Sequence, residues 1–124
     1  SFNAKQIATS GNESGGKQIV VHETDAADMD TLKDFGDKLL NELDSGVGVL
    51  GSASGEKPSI VVVVTKDLNA DGIMAPDLAK AIGGVMGGGG GGRPHLATAG
   101  GKDTKKLKAA LEQAEKIIKD ALKG

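Results

Sequence analysis

Six glycines in a row, Gly87 to Gly92, constrain this 124-residue chain more than any other feature. Ordering such a run costs roughly 1–2 kcal/mol of backbone entropy per residue, and glycine sits at the expensive end of that range. A flexible linker avoids the cost. An ordered segment meets it only where the backbone takes positive φ angles or lets another surface come close. The residues after the run decide between the two. A linker continues into polar residues, whereas Gly92 leads into Arg93-Pro94-His95-Leu96-Ala97-Thr98-Ala99, which is mixed and partly apolar. We therefore read Gly87–Gly92 as an ordered, specific loop. It is not a nucleotide fingerprint by pattern alone. Any poly-glycine satisfies G-x-G-x-x-G, and that fingerprint needs a strand before it and a helix after it, while a Walker loop needs Lys-Ser/Thr where this chain has Arg93-Pro94.

The rest of the chain reads as a small α/β domain. With two Phe and no Tyr or Trp, the core has to be built from Val, Ile, Leu and Ala. Residues 17–23 are short, apolar and β-branched, as a strand requires. From Asp28, Leu32, Phe35, Gly36, Leu39, Leu40 and Leu43 recur at helical spacing. Residues 46–53 read as a second strand. Ile60 to Val64 is a β-branched run without alternation, the mark of a strand buried on both faces. The Ser54–Lys57 turn between them points to an antiparallel hairpin.

Pro76 and Asp77 suit the first turn of another helix, which runs into the glycines. A short strand is placed at 95–99, then a helix from about Thr104 to Lys123 with Asp103 as its N-cap. The expected order is β-α-β-β-α-Gly loop-(β)-α, a small mixed β-sheet packed by helices. Residues 1–16, rich in Gly, Ser and polar side chains, read as a linker or the end of an upstream segment, and 17–124 as the globular domain. Opening on Ser rather than Met, the chain reads as a piece of something longer. No apolar run approaches the roughly 18 residues needed to span a bilayer, so no membrane partner is expected.

The net charge of −2 is unevenly spread. Residues 1–75 carry a balance of −6 and residues 76–124 one of +4, with Arg93, Lys102, Lys105, Lys106 and Lys108 crowded around the single acid Asp103. That asymmetry points to an anionic partner for the C-terminal part. Catalytic chemistry has no support. Cysteine is absent, and His22 and His95 are the only histidines, with no ligand set at metal spacing. No Ser or Thr has an evident base and orienting third group.

Residues 86–103, MGGGGGGRPHLATAGGKD, resemble the glycine-rich signature in the C-terminal domain of alanyl-tRNA synthetase: a glycine run, Arg-Pro, a variable pair, then Ala-x-Ala-Gly-Gly. The likeness extends to 32–53, to 60–68 and to the helix before the glycines, and so to about 17–124. His95-Leu96 departs from the acid or amide and apolar residue common at that pair. The resemblance implies a non-catalytic, cytoplasmic appendage that contacts the outer corner of tRNA(Ala) and helps present it to upstream aminoacylation and editing domains. In some lineages such a domain also supports a homodimer. ATP with magnesium, and the zinc of the editing domain, would belong to the parent ligase and not to this segment. Two alternatives stand beside it: a dimerisation or interaction domain of the same enzyme, and the substrate-binding domain of a DHH-family phosphoesterase.

For RNA, the bare backbone of Gly89, Gly90, Gly91 and Gly92 can approach a sugar-phosphate chain, and its N–H groups can donate to phosphate oxygens. Arg93 can fork onto a phosphate. Pro94 and His95 adjoin it, and Lys102, Lys105, Lys106 and Lys108 flank the start of the last helix, whose N-terminus favours anions. Recognition would rest on shape and backbone, as befits a chain without stacking aromatics.

Overall fold

The five β-branched residues Ile60 to Val64 form the centre of the molecule, each at most 1% exposed. Burying a side chain of this kind is worth about 1.5–3 kcal/mol relative to leaving it in water, so this stretch demands cover on both sides. In the computed structural model, which describes residues 2–124, it receives that cover from two helical layers. The chain runs α1 (Ala4–Thr9), β1 (Asn12–Ser14), β2 (Lys17–Thr24), α2 (Met29–Glu42), β3 (Gly46–Ser52), β4 (Ser59–Val64), α3 (Lys66–Ala70), α4 (Ala75–Val85), β5 (Gly90–Arg93), β6 (Leu96–Gly100), a 3-10 turn at Thr104–Lys106 and α5 (Leu107–Lys123).

The six strands lie in the order β1-β2-β3-β4-β6-β5. Only β2 and β3 are parallel, and α2 supplies the crossover that a parallel pair needs. The expected β3–β4 hairpin is antiparallel, with Leu50 opposite Val61. Successive side chains take opposite faces. Ile19, Val47, Val49, Ile60, Val62, Val64, Ala97 and Ala99 pack with Leu78, Ala79, Ile82 and Met86 of α4 and Leu107, Ala110, Ala114 and Ile118 of α5. On the other face Val20, Leu50, Val61 and Val63 meet Leu32 and Leu39 of α2 and Ile7 and Ala8 of α1. Small residues set the layer spacing: a Cβ on Gly36 of α2 would sit 3.1 Å from Val61, and one on Gly48 of β3 would sit 2.5 Å from Leu39.

The α/β class, the mixed sheet and the long elements are as the sequence led us to expect. Asp28 caps α2 by accepting from the Thr31 N–H at 2.8 Å, which holds its carboxyl below the usual range. Asp103 likewise accepts from Lys105 N at 3.0 Å, ahead of a first turn that is 3-10 and not yet α.

Three short segments differ. Residues 4–14, expected as linker or upstream end, form α1 and β1; Ile7 and Ala8 are buried, and Phe2 stacks on Phe35 with centroids 4.2 Å apart. A six-residue helix is too short to hold by itself and leans on that packing. Residues 66–70, for which no helix is expected, form α3. Asp67 ties it to the sheet, accepting from Ser45 Oγ and Thr65 Oγ1 with Lys17 at 3.5 Å. Those two hydroxyl bonds are the main reason its carboxyl is lowered to about 2. The third difference is the glycine run itself.

Candidate functional site

Half of the expected glycine loop is strand. Gly90–Arg93 forms β5, the outermost strand, joined to β6 by a two-residue turn at Pro94-His95. The tip is tied down: Pro94 O accepts from Ala75 N and from Asn69 Nδ2, both at 2.9 Å, and His95 O accepts from Val64 N at 3.0 Å. β6 spans Leu96–Gly100, which leaves His95 in the turn.

Why glycine recurs here is largely a matter of space. Gly87 takes a φ of +74°, a conformation that L side chains rarely adopt. A Cβ on Gly88 would fall 1.6 Å from Gly100 O; one on Gly90 would fall 2.8 Å from Thr98 O and 3.2 Å from Ala79 of α4. Gly92 combines a φ of +149° with only 2.6 Å to Ala97 Cα. The same close approach explains Gly83 in α4, whose Cβ would meet that of Ala99 at 2.7 Å. Gly89 and Gly91 are different: nothing lies within 4 Å of a Cβ at either. Gly100 N donates to Gly89 O, and the antiparallel alternation then pairs Gly91 and Arg93 with β6. The N–H and C=O groups of Gly90 and Gly92 point off the edge of the sheet.

On the face shared with α2, Gly91 lies beside Thr98 and Arg93 beside Leu96. Between this hairpin and α2 runs an open groove of about 330 Å³, lined by Lys33 and Asp37 of α2 and by Gly91, Gly92, Arg93, His95, Leu96, Ala97 and Thr98. Lys33, Asp37 and Arg93 are exposed, and none is in an ion pair with a described residue. Arg93 and Lys33 thus present free cationic heads beside a strand with no side chain to hold a partner off.

The expected site residues do not gather in one place. Gly91, Gly92, Arg93 and His95 line the groove, Pro94 sits in the adjoining turn without lining it, and Gly90 presents its backbone at the edge. Lys102, Lys105 and Lys106 lie past the other end of β6, a five-residue strand about 17 Å long. There the Asp103 carboxylate already takes up the Lys105 N–H. Lys108 borders a separate groove that it shares with Glu23, Glu112 and Glu115. Lys33 was not among the expected residues. It sits in the acidic helix among Asp30, Asp34 and Asp37, and no local signal sets it apart. Among the described residues no group of three or more His, Cys, Asp or Glu side chains is placed to hold a metal ion, and no helix is long and apolar enough to cross a membrane.

Against known proteins, the sequence matches the DHHA1 domain over residues 4–120. It is 48% identical over 112 residues to the alanine–tRNA ligase of Acetivibrio thermocellus, covering 90% of this chain and 13% of that protein. With the ligase of Desulforamulus reducens it shares 46% over 98 residues, 79% of this chain and 11% of that one. The chain therefore spans about an eighth of the length of the curated relatives it matches. In three dimensions it is similar to the C-Ala domain of Aquifex aeolicus alanyl-tRNA synthetase, with a TM-score of 0.75 and 27% identity, covering 87% of this chain and 96% of that domain. A DHH-domain member of the s1p family of ribosomal proteins shares the fold at a TM-score of 0.59 and 12% identity, over 94% of this chain and 29% of that one.

Proposed function

The chain belongs to the DHHA1 domain family, and on that footing we propose that it serves as the C-terminal, non-catalytic domain of an alanine–tRNA ligase and binds tRNA. The observation that carries the reading is the bare β5 strand flanked by the cations Arg93 and Lys33, neither of them in an ion pair with a described residue. Phosphate oxygens reach backbone N–H groups most readily where no Cβ intervenes. Arg93 adds a planar fork for a phosphate, and Lys33 a point charge across the groove. With two Phe stacked on each other and no other aromatic ring of the Phe, Tyr or Trp kind, the domain is suited to shape and backbone recognition more than to base reading.

In this reading the partner is the outer corner of tRNA(Ala), and the domain helps present it to upstream aminoacylation and editing domains in the cytoplasm. ATP, magnesium and zinc are assigned to those upstream domains. Lys102, Lys105 and Lys106 form a second positive patch that steers the RNA without lining the groove. An interaction role through an apolar patch has less to stand on, because no large hydrophobic side chain is exposed among the described residues.

The test is a tRNA titration at several salt concentrations with wild type, Arg93→Ala and Lys33→Ala. Each substitution should weaken binding and lower the slope of log K against log salt by about one, as for a lost phosphate contact. Absence of wild-type binding at low salt overturns the proposal. Binding that neither substitution changes moves the site away from β5.

A further inference from the structure

The groove contains one group that phosphate binding does not account for. Asp37 lines it together with Lys33 and Arg93, exposed and outside any ion pair with a described residue. A carboxylate only accepts hydrogen bonds, so a phosphate oxygen is the wrong neighbour for it and a hydroxyl is the right one. Lys33 and Asp37 are four residues apart on one helix, on the same side and about 6 Å apart along the axis. That is the scale of the separation between a nucleotide's 5′-phosphate and its 2′-hydroxyl.

Gly91 lines the same groove from the opposite wall. Unlike Gly88, Gly90 and Gly92, it has empty space where a side chain would stand, so the packing of the fold gives no reason for glycine there. A side chain at that position would fill the groove that Asp37 and Arg93 border.

Resting on the RNA-binding reading above, we propose that Asp37 accepts a hydrogen bond from a ribose 2′-hydroxyl of an RNA strand laid over Gly91, with the adjoining phosphates held by Lys33 and Arg93. The 2′-hydroxyl is what distinguishes RNA from DNA at a given position. Asp37 then makes this domain selective for ribose, independently of base sequence.

The experiment is a 2′-deoxy scan. Single 2′-deoxy residues are introduced one at a time into tRNA(Ala), which keeps its overall shape, and each is titrated against wild type and Asp37→Ala. In wild type, one or two positions should lose roughly ten-fold or somewhat more in affinity, the low end of the worth of a hydrogen bond to a charged group, as suits an open groove. In Asp37→Ala unmodified tRNA should bind that much more weakly, and the same positions should become indifferent to the deoxy substitution. Such non-additivity is the signature of a direct contact. Gly91→Val serves as a second variant: β-branched and in open space, it should fold normally yet abolish binding of modified and unmodified tRNA alike.

If no position distinguishes wild type from Asp37→Ala, or if Asp37→Ala strengthens all the RNAs equally by removing a repulsive charge, the inference is overturned while the RNA-binding reading stands. If Gly91→Val binds as wild type does, the strand does not pass over the groove and the inference is equally overturned. If wild type binds no tRNA, both fall together.

Discussion

Gly88 and Gly91 are three positions apart in one unbroken glycine run, yet alanine should act on them in opposite directions. At Gly91 the backbone is extended and a Cβ meets nothing within 4 Å. Alanine there restricts the unfolded chain without straining the folded one, and should stabilise by about 0.5–1 kcal/mol. At Gly88 the Cβ would overlap Gly100 O at 1.6 Å and lie 2.6 Å from its carbonyl carbon. Backbone cannot swing aside as a flexible side chain can, so the end of the β5–β6 pair has to open. The bonds at risk are Gly88 N to Gly83 O, at 3.0 Å, and Gly100 N to Gly89 O, at 3.3 Å. Overpacking at about 1–3 kcal/mol, plus about 1 kcal/mol for each bond lost, puts the cost at about 3 kcal/mol or more. The two variants should then differ by about 4 kcal/mol, a separation of about 2 M in urea midpoint for a domain of this size. Equilibrium urea unfolding checks this, with equal m-values as the control. If both variants shift the midpoint in the same direction, or if Gly88→Ala stays within about 0.5 kcal/mol of wild type, the ordered packing of the glycines is refuted.

Three more outcomes are expected. Asp67 is held at about 2 in the fold against 3.8 in the free side chain, chiefly by the Ser45 and Thr65 hydroxyls. Its stabilising effect is therefore complete above the unfolded value and lost as pH falls from about 4 towards 2; urea melts of wild type and Asp67→Asn should differ at neutral pH and converge at the acid end. Phe35→Ala removes the ring on which Phe2 stacks, worth about 1 kcal/mol beyond area burial, and hydrogen exchange should show α1 opening well before the sheet. Replacing Lys102, Lys105 and Lys106 together by Ala should slow tRNA association and flatten its salt dependence, while the dissociation rate changes less than in Arg93→Ala; stopped-flow binding separates the two.

Much of the fold is legible in the residue pattern because its cause is local. The repeat of Leu32, Gly36, Leu39 and Leu43 specifies one apolar stripe on α2 whatever that helix packs against, and Ile60–Val64 has no polar face to leave in water. Asp28 and Asp103 cap the turns after them through contacts two or three residues away. The short elements are not legible. The helix at Ala4–Thr9 and strands β1 and β5 carry too few residues for a period to show; α1 is held by burial against the α2 face of the sheet, and β1 and β5 by pairing with the strand that follows each.

For the site the division runs the same way. That the glycine run must be ordered is read from the mixed, partly apolar segment it runs into. Which glycines serve the fold and which are left bare depends on where α4, β6 and the Gly100 carbonyl lie. Gly90 abuts Ala79 of α4 and Gly88 abuts Gly100, while Gly89 and Gly91 face open space. The basic cluster read along the chain is split by the length of β6, and its place beside Arg93 is taken by Lys33, sixty residues earlier and drawn in by the packing of α2 on the sheet. Sequence by itself determined the layers, because side-chain periodicity acts over a few residues. Tertiary structure alone decided the groove, because its walls, α2 and the β5–β6 hairpin, meet only when α2 packs on the sheet and β6 pairs with β4.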